Sequence, residues 1–123
     1  MYELRIERSF LASHGLRLYD GSREPLHAHD WRVEVEVQAQ ELDSIELAID
    51  FHELERIVGA ALDALRGANL NEHPAFLAVN PSAERVAQHI FEVVAERLPP
   101  RVTLSAVTVT EALGCRASYR MAR

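Results

Sequence analysis

Leu26-His27-Ala28-His29-Asp30-Trp31-Arg32-Val33-Glu34-Val35-Glu36-Val37-Gln38 is the stretch on which the reading of this chain turns. From Trp31 to Gln38 the alternation is clean. Trp31, Val33, Val35 and Val37 share one phase, and Arg32, Glu34, Glu36 and Gln38 share the other. A period of two is the mark of a half-buried strand. His27 and His29 stand two apart at its head, so their imidazoles converge on one side of a rigid support. A third histidine, His14, comes just after another alternating run over residues 2–8, with Tyr2, Leu4 and Ile6 set against Glu3, Arg5 and Glu7. The short distance between the two runs predicts antiparallel pairing, which sets His14 beside the pair. Three neutral imidazoles leave one tetrahedral position open, the pattern of a catalytic rather than a structural zinc site.

The rest of the chain supplies the support. Gly15, Asp20, Gly21, Ser22 and Pro25 mark residues 15–26 as a loop. Phe51, Leu54, Ile57, Val58, Ala61, Leu62 and Leu65 then follow helical spacing. Asp50 is the expected N-cap, Glu53 completes a capping-box pattern, and Gly67 ends the helix. A loop through Asn69-Leu70-Asn71-Glu72-His73-Pro74 leads to Asn80-Pro81, read as cap and first-turn proline of a second helix. Val86, Ala87, Ile90, Val94 and Leu98 carry that helix to Pro99-Pro100. Residues 102–111 return to strand, with Val102 and Leu104 in one phase and Val107 and Val109 in the other, so a bulge is expected near Ala106. Cys115, Ala117 and Tyr119 predict a last short strand. The order β-β-α-α-β-β gives one α+β domain over residues 1–123, with two helices on one face of a four-stranded antiparallel sheet. Such a sheet has two open edges, which are expected to pair with neighbouring subunits.

Composition narrows the class. The chain has 123 residues, 48% of them hydrophobic and 26% charged, enough for one core. No apolar run approaches the ~20 residues of a membrane span. The start, Met1-Tyr2-Glu3-Leu4-Arg5-Ile6, lacks the layout of a signal peptide, and the single Cys115 fits a reducing compartment, so a cytoplasmic location is expected. A net charge of −6 and the absence of lysine argue against a nucleic-acid surface. An anionic substrate would be held by arginines, backbone amides or a metal.

Other residues carry chemistry less distinctly. Glu24 lies in the loop that delivers His27 and His29, where a carboxylate serves as general acid or base, or is merely an exposed glutamate. Glu111 ends an apolar strand. A carboxylate there can accept two parallel N–H bonds from a ligand, or is a strand-end charge. Asp30 points away from the histidines and is not assigned as their acceptor. His52 and His89 fall on outer or flank positions of the helices, and His73 in the loop between them. Cys115 reads as a packing residue rather than a nucleophile.

The ordered set of these segments resembles the 6-pyruvoyl-tetrahydropterin and 6-carboxy-tetrahydropterin synthase family. Ser9-Phe10-Leu11-Ala12-Ser13-His14 resembles its first metal-ligand segment, and Leu26-His27-Ala28-His29-Asp30-Trp31 its His-Gly-His segment, with Ala28 for the usual glycine. Ile49-Asp50-Phe51, Leu70-Asn71, Asn80-Pro81-Ser82-Ala83-Glu84 and Val109-Thr110-Glu111 resemble further stretches in the same order. The resemblance implies zinc on His14, His27 and His29, and a pterin ring anchored by Glu111 with Ser82 and Glu84 nearby. It implies the tunnelling fold, in which three subunits close a twelve-stranded barrel and two trimers stack as a homohexamer. Family substrates are 7,8-dihydroneopterin triphosphate and related dihydropterins. The usual catalytic cysteine is replaced by Arg23. Glu24 instead fits a variant pattern, Glu-x-x-His-Gly-His, of aldolase-like members that yield 6-hydroxymethyl-dihydropterin. Arg66 and Gly67 stand where the family carries an Asp-His relay, for which His73 is the candidate substitute. A non-catalytic pterin- and zinc-binding member is the alternative. Gly21, His27, His29 and Glu34 also match half of a cupin motif, but the helical middle of the chain opposes a jelly roll.

Overall fold

The computed structural model describes residues 1–122. Strands β1 (Tyr2–His14) and β2 (His27–Ala39) come first, then helix α1 (Phe51–Asp63) and two short 3₁₀ turns (Leu70–Glu72 and Pro74–Phe76). Helix α2 (Ala83–Arg97) and strands β3 (Thr103–Ala112) and β4 (Cys115–Arg120) complete the chain. The sheet order is β1-β2-β3-β4 with every neighbouring pair antiparallel, the expected α+β architecture. No helix among the described residues is long and apolar enough to cross a membrane.

The inner sheet face follows the alternation. Phe10, Trp31, Val33, Val35, Val37, Val107 and Val109 pack against Leu54, Ile57, Val58 and Leu62 of α1 and Val86, Ile90 and Val94 of α2. Full burial of each such side chain contributes about 1.5–3 kcal/mol. Phe10 and Trp31 stack at 6.1 Å.

Strand β1 is longer than its alternation suggested. Phe10, Ala12 and His14 continue the inner phase of Leu4 and Ile6, but Arg8 interrupts it. The guanidinium of Arg8 reaches Glu55 of α1 at 2.7 Å, so a charge stands on the inner side without being buried. His14 therefore lies within the strand, directly across from His27. On β3 the bulge falls at Ser105, next to the expected position, because Glu36 pairs with Ala106 and Val37 with Leu104. Ser105 Oγ donates to the Glu36 carbonyl at 3.0 Å. A second irregularity was not foreseen. Thr110 pairs with Arg116 and Ala112 with Cys115, leaving Glu111 as the extra residue.

Helix boundaries shift modestly. Asp50 caps α1 by accepting from His52 N at 2.7 Å, while Glu53 makes no return bond among the described residues. Phe51, expected on the inner face, is half exposed at the first helical position. The chain coils on to Gly67, whose φ of 76° is the left-handed conformation that favours glycine. Gly67 N then donates to Leu11 O at 2.6 Å and Ser13 N to Ala68 O at 3.0 Å, which covers the far half of the β1 edge. Helix α2 begins two residues later than the Asn80-Pro81 signal. Ser82 is its cap, accepting from Arg85 N at 3.2 Å, because Asn80 is already committed to Arg17.

Candidate metal centre

His14, His27, His29 and Glu111 meet at one end of the inner sheet face. Their strands fix them there: His14 pairs across from His27, Ala12 from His29, and Glu111 follows Val107 and Val109 in phase. One ligand atom from each of the four lies within 4.8 Å of the others, close enough to share one ion. The three imidazoles stand edge to face, at 4.6 to 5.3 Å between centroids and 67 to 83° between planes, so they converge rather than stack. Trp31 forms the floor, fully buried, with its Nε1 donating to Ala12 O at 3.2 Å.

The hydrogen bonds decide which nitrogen faces inward. His14 Nδ1 sits 2.7 Å from the carbonyl of Pro81, which can only accept. Nδ1 therefore donates to Pro81, and Nε2 is the nitrogen turned inward. His27 Nδ1 stands likewise 3.1 Å from Pro25 O. Such an outer acceptor is what a metal-ligating histidine requires. On the inner side, His14 Nε2 lies 2.6 Å and His29 Nε2 3.7 Å from Glu111 Oε1. Both nitrogens are buried, yet neither has a hydrogen-bonding partner. A shared proton could serve one nitrogen–oxygen pair, but not several rings around one oxygen. A divalent cation would satisfy the whole set, and three imidazoles with a carboxylate are a donor set that fits zinc. Burial holds His29 below the usual histidine pKa; Glu111 opposes this, and His27 and His14 reinforce it. The balance favours the neutral ring, the form that ligates.

Glu111 stands beside the three histidines, on the side that the histidines alone left open. Its phase on the strand was legible, since positions 107, 109 and 111 alternate together. The bulge that places it was not. Two other contributors were missed. Asn71, buried between the helices, accepts from Gly15 N at 2.8 Å and donates to Gly15 O at 2.7 Å, and so holds the residue after His14. Gly15 itself has no room for a side chain, because a Cβ there would lie 2.5 Å from Glu24 O. The Pro81 carbonyl, sixty-seven residues from His14, gave no signal in sequence.

The remaining candidates lie outside the cluster. Glu24 accepts from Leu16 N at 2.9 Å, closing the loop before His27. Arg23 is exposed, and its backbone pairs with that of Arg17. His73 Nδ1 accepts from Ala75 N at 3.1 Å, and its ring packs against Phe76 and His89. His89 is held below the usual histidine range by burial, with His73 adding to the effect. His52 is almost fully exposed beside Asp50. Arg66 and Gly67, at the relay positions, have structural duties: Arg66 bonds Asp63 and Ser9 O, and Gly67 makes the helix exit. Glu84, Cys115 and Arg116 share with Glu111 the wall of a cavity of ≈ 600 Å³ beside the cluster. Ser82, just before Ala83 of the same wall, caps α2.

The family model for 6-pyruvoyl tetrahydropterin synthase matches residues 3–122. The chain belongs to this family. Solved structures of its members share the fold. The Caenorhabditis elegans 6-pyruvoyl tetrahydropterin synthase superposes with a TM-score of 0.80 at 23% identity, over 99% of this chain and 98% of that one. The Plasmodium vivax 6-pyruvoyl tetrahydropterin synthase gives 0.78 at 19%, over 98% and 97%. An uncharacterized protein from Wolinella succinogenes gives 0.73 at 19%, over 97% of each. No curated protein matches the sequence.

Proposed function

We propose that this 6-pyruvoyl tetrahydropterin synthase family member is a zinc-dependent lyase acting on the side chain of a dihydropterin such as 7,8-dihydroneopterin triphosphate. The observation that carries the reading is the cluster itself: two buried imidazole nitrogens without partners, turned toward one carboxylate oxygen beside an open cavity. His14, His27 and His29 would hold the ion. A bound zinc supplies Lewis acidity toward oxygens of the substrate side chain. Glu111 accepts paired N–H donors of the ring, and Glu84 and the Ser82 end of α2 flank the same cavity. Glu24 is the acid/base group, held close to the ligand strand by its bond to Leu16 N. A variant structure of the Plasmodium vivax enzyme, described as a catalytic-residue mutant, replaces a glutamate by alanine, which supports a glutamate in that role. For His73, Nδ1 is committed to Ala75, so any proton it relays passes through Nε2. Subunits pair through the uncovered part of β1 and through β4 into a homohexamer in the cytoplasm, with no nucleic-acid partner.

One set of observations favours a second reading, a pterin- and zinc-binding protein without turnover. Arg23 replaces the cysteine, and Arg66 and Gly67 replace the relay with residues that serve the fold. Incubating zinc-loaded protein with 7,8-dihydroneopterin triphosphate separates the two. Catalytic release of a pterin product establishes the lyase; stoichiometric binding without product establishes the binding protein and overturns the lyase.

A further inference from the structure

We infer that Glu111 is a resting ligand of the metal which leaves it when substrate enters, so that one carboxylate serves first the ion and then the ring. This rests on the metal-dependent pterin reading above. Three imidazoles and a carboxylate make a closed tetrahedral set, whereas chemistry at zinc needs an exchangeable position. One of the four ligands must yield. His14 and His27 are pinned through Nδ1 by the carbonyls of Pro81 and Pro25. His29 shares strand β2 with His27, two residues away on the same face. Glu111 has neither such an outer anchor nor a second ligand beside it on its strand; its near partners are the His14 and His29 nitrogens of the cluster itself. Outside the cluster its carboxylate has no hydrogen-bonding partner among the described residues, its backbone is the extra residue of a bulge, and its side chain is 30% exposed. It also borders the cavity of ≈ 600 Å³, so it can turn without leaving the site.

Charge decides what can drive the exchange. Taking a carboxylate off a divalent ion is unfavourable in a site floored by Trp31 unless both separated partners are satisfied again. The ion must gain oxygen ligands, and the carboxylate must gain donors, which a pair of parallel N–H groups supplies. A molecule carrying vicinal oxygens at one end and an N–H pair at the other does both at once. A diol without the ring, or a ring without the hydroxylated side chain, does only half. The exchange therefore selects a side-chain-bearing pterin by cooperation between its two ends, where each half alone binds poorly.

Cobalt(II), added to metal-free protein, tests this through its visible absorption, which reports ligand number. Wild-type protein is expected to give intense tetrahedral bands. Glu111→Gln should bind cobalt about tenfold more weakly, with altered bands. Saturating 7,8-dihydroneopterin should shift the wild-type bands, while glycerol and unsubstituted pterin should not. Glu111→Asp keeps the charge but shortens the arm. It should resemble Glu111→Gln, and it carries the test if the glutamine variant does not fold. Wild-type bands and affinity in both variants overturn the ligand role while leaving the metal reading intact. Bands that depend on Glu111 but ignore neopterin, or respond equally to the half-ligands, overturn the exchange. Absence of cobalt binding by wild-type protein overturns the metal reading itself.

Discussion

His14 shows how much a single hydrogen bond settles. A buried imidazole offers either nitrogen, and the Pro81 carbonyl removes that freedom by accepting from Nδ1. Nε2 then has one direction, toward Glu111. Glu24 is ambiguous in a different way, because its carboxylate holds the loop and is also the candidate acid/base. Two substitutions separate those duties. Glu24→Gln keeps an oxygen for Leu16 N but cannot exchange a proton at neutral pH. It should lower turnover about 10²–10⁴-fold with an unchanged unfolding midpoint. Glu24→Ala should lose both. Wild-type turnover in the glutamine variant would leave Glu24 a loop clasp and nothing more.

The connection between the helices does more than join them. Asn71 pairs with both backbone groups of Gly15, Asn80 does the same for Arg17, and Pro81 orients His14. Residues 69–82 thus act as an outer brace for His14, the candidate ligand on β1. Asn71→Ala leaves Gly15 N and O buried without partners, at a cost of about 1–3 kcal/mol in stability. Because the brace sets His14, zinc affinity should fall about tenfold as well. Chemical denaturation and competitive zinc titration measure the two separately. A loss of stability at unchanged zinc affinity would show that the brace supports the fold without positioning the ligand.

Across the whole sheet, the two borders differ. The exit of α1 covers β1 near Leu11 and Ser13, whereas residues 2–8 and strand β4 keep an outer row of backbone groups. Unpaired rows of this kind are satisfied by another chain or by water. The proposed assembly joins β4 of one copy to β1 of the next, a head-to-tail contact that forms a ring where its rotation closes. Light scattering on the purified protein should therefore give about six times the 13.9 kDa chain mass, or three times it if trimers do not stack. A monomer mass at micromolar concentration would exclude this assembly.

What the sequence by itself determined is whatever depends on neighbours a few residues apart. Alternation of period two put His27, His29 and Trp31 on one face, and helical spacing gave α1 and α2. The phase change between Leu104 and Val107 announced the bulge within a residue of Ser105. Even there Arg8 hid the continuity of β1, because a charge that reaches sideways to Glu55 looks like an outward position in a one-dimensional pattern. Only the tertiary structure decided what closes between distant segments: Glu111 joining the histidines through a bulge, Pro81 orienting His14, Asn71 seizing Gly15, and Asn80 leaving the α2 cap to Ser82 for the sake of Arg17. The reason is physical. Which face a residue occupies is set by local backbone geometry, but which atoms meet across sixty residues is set by strand register and packing, where a one-residue slip exchanges one face for the other.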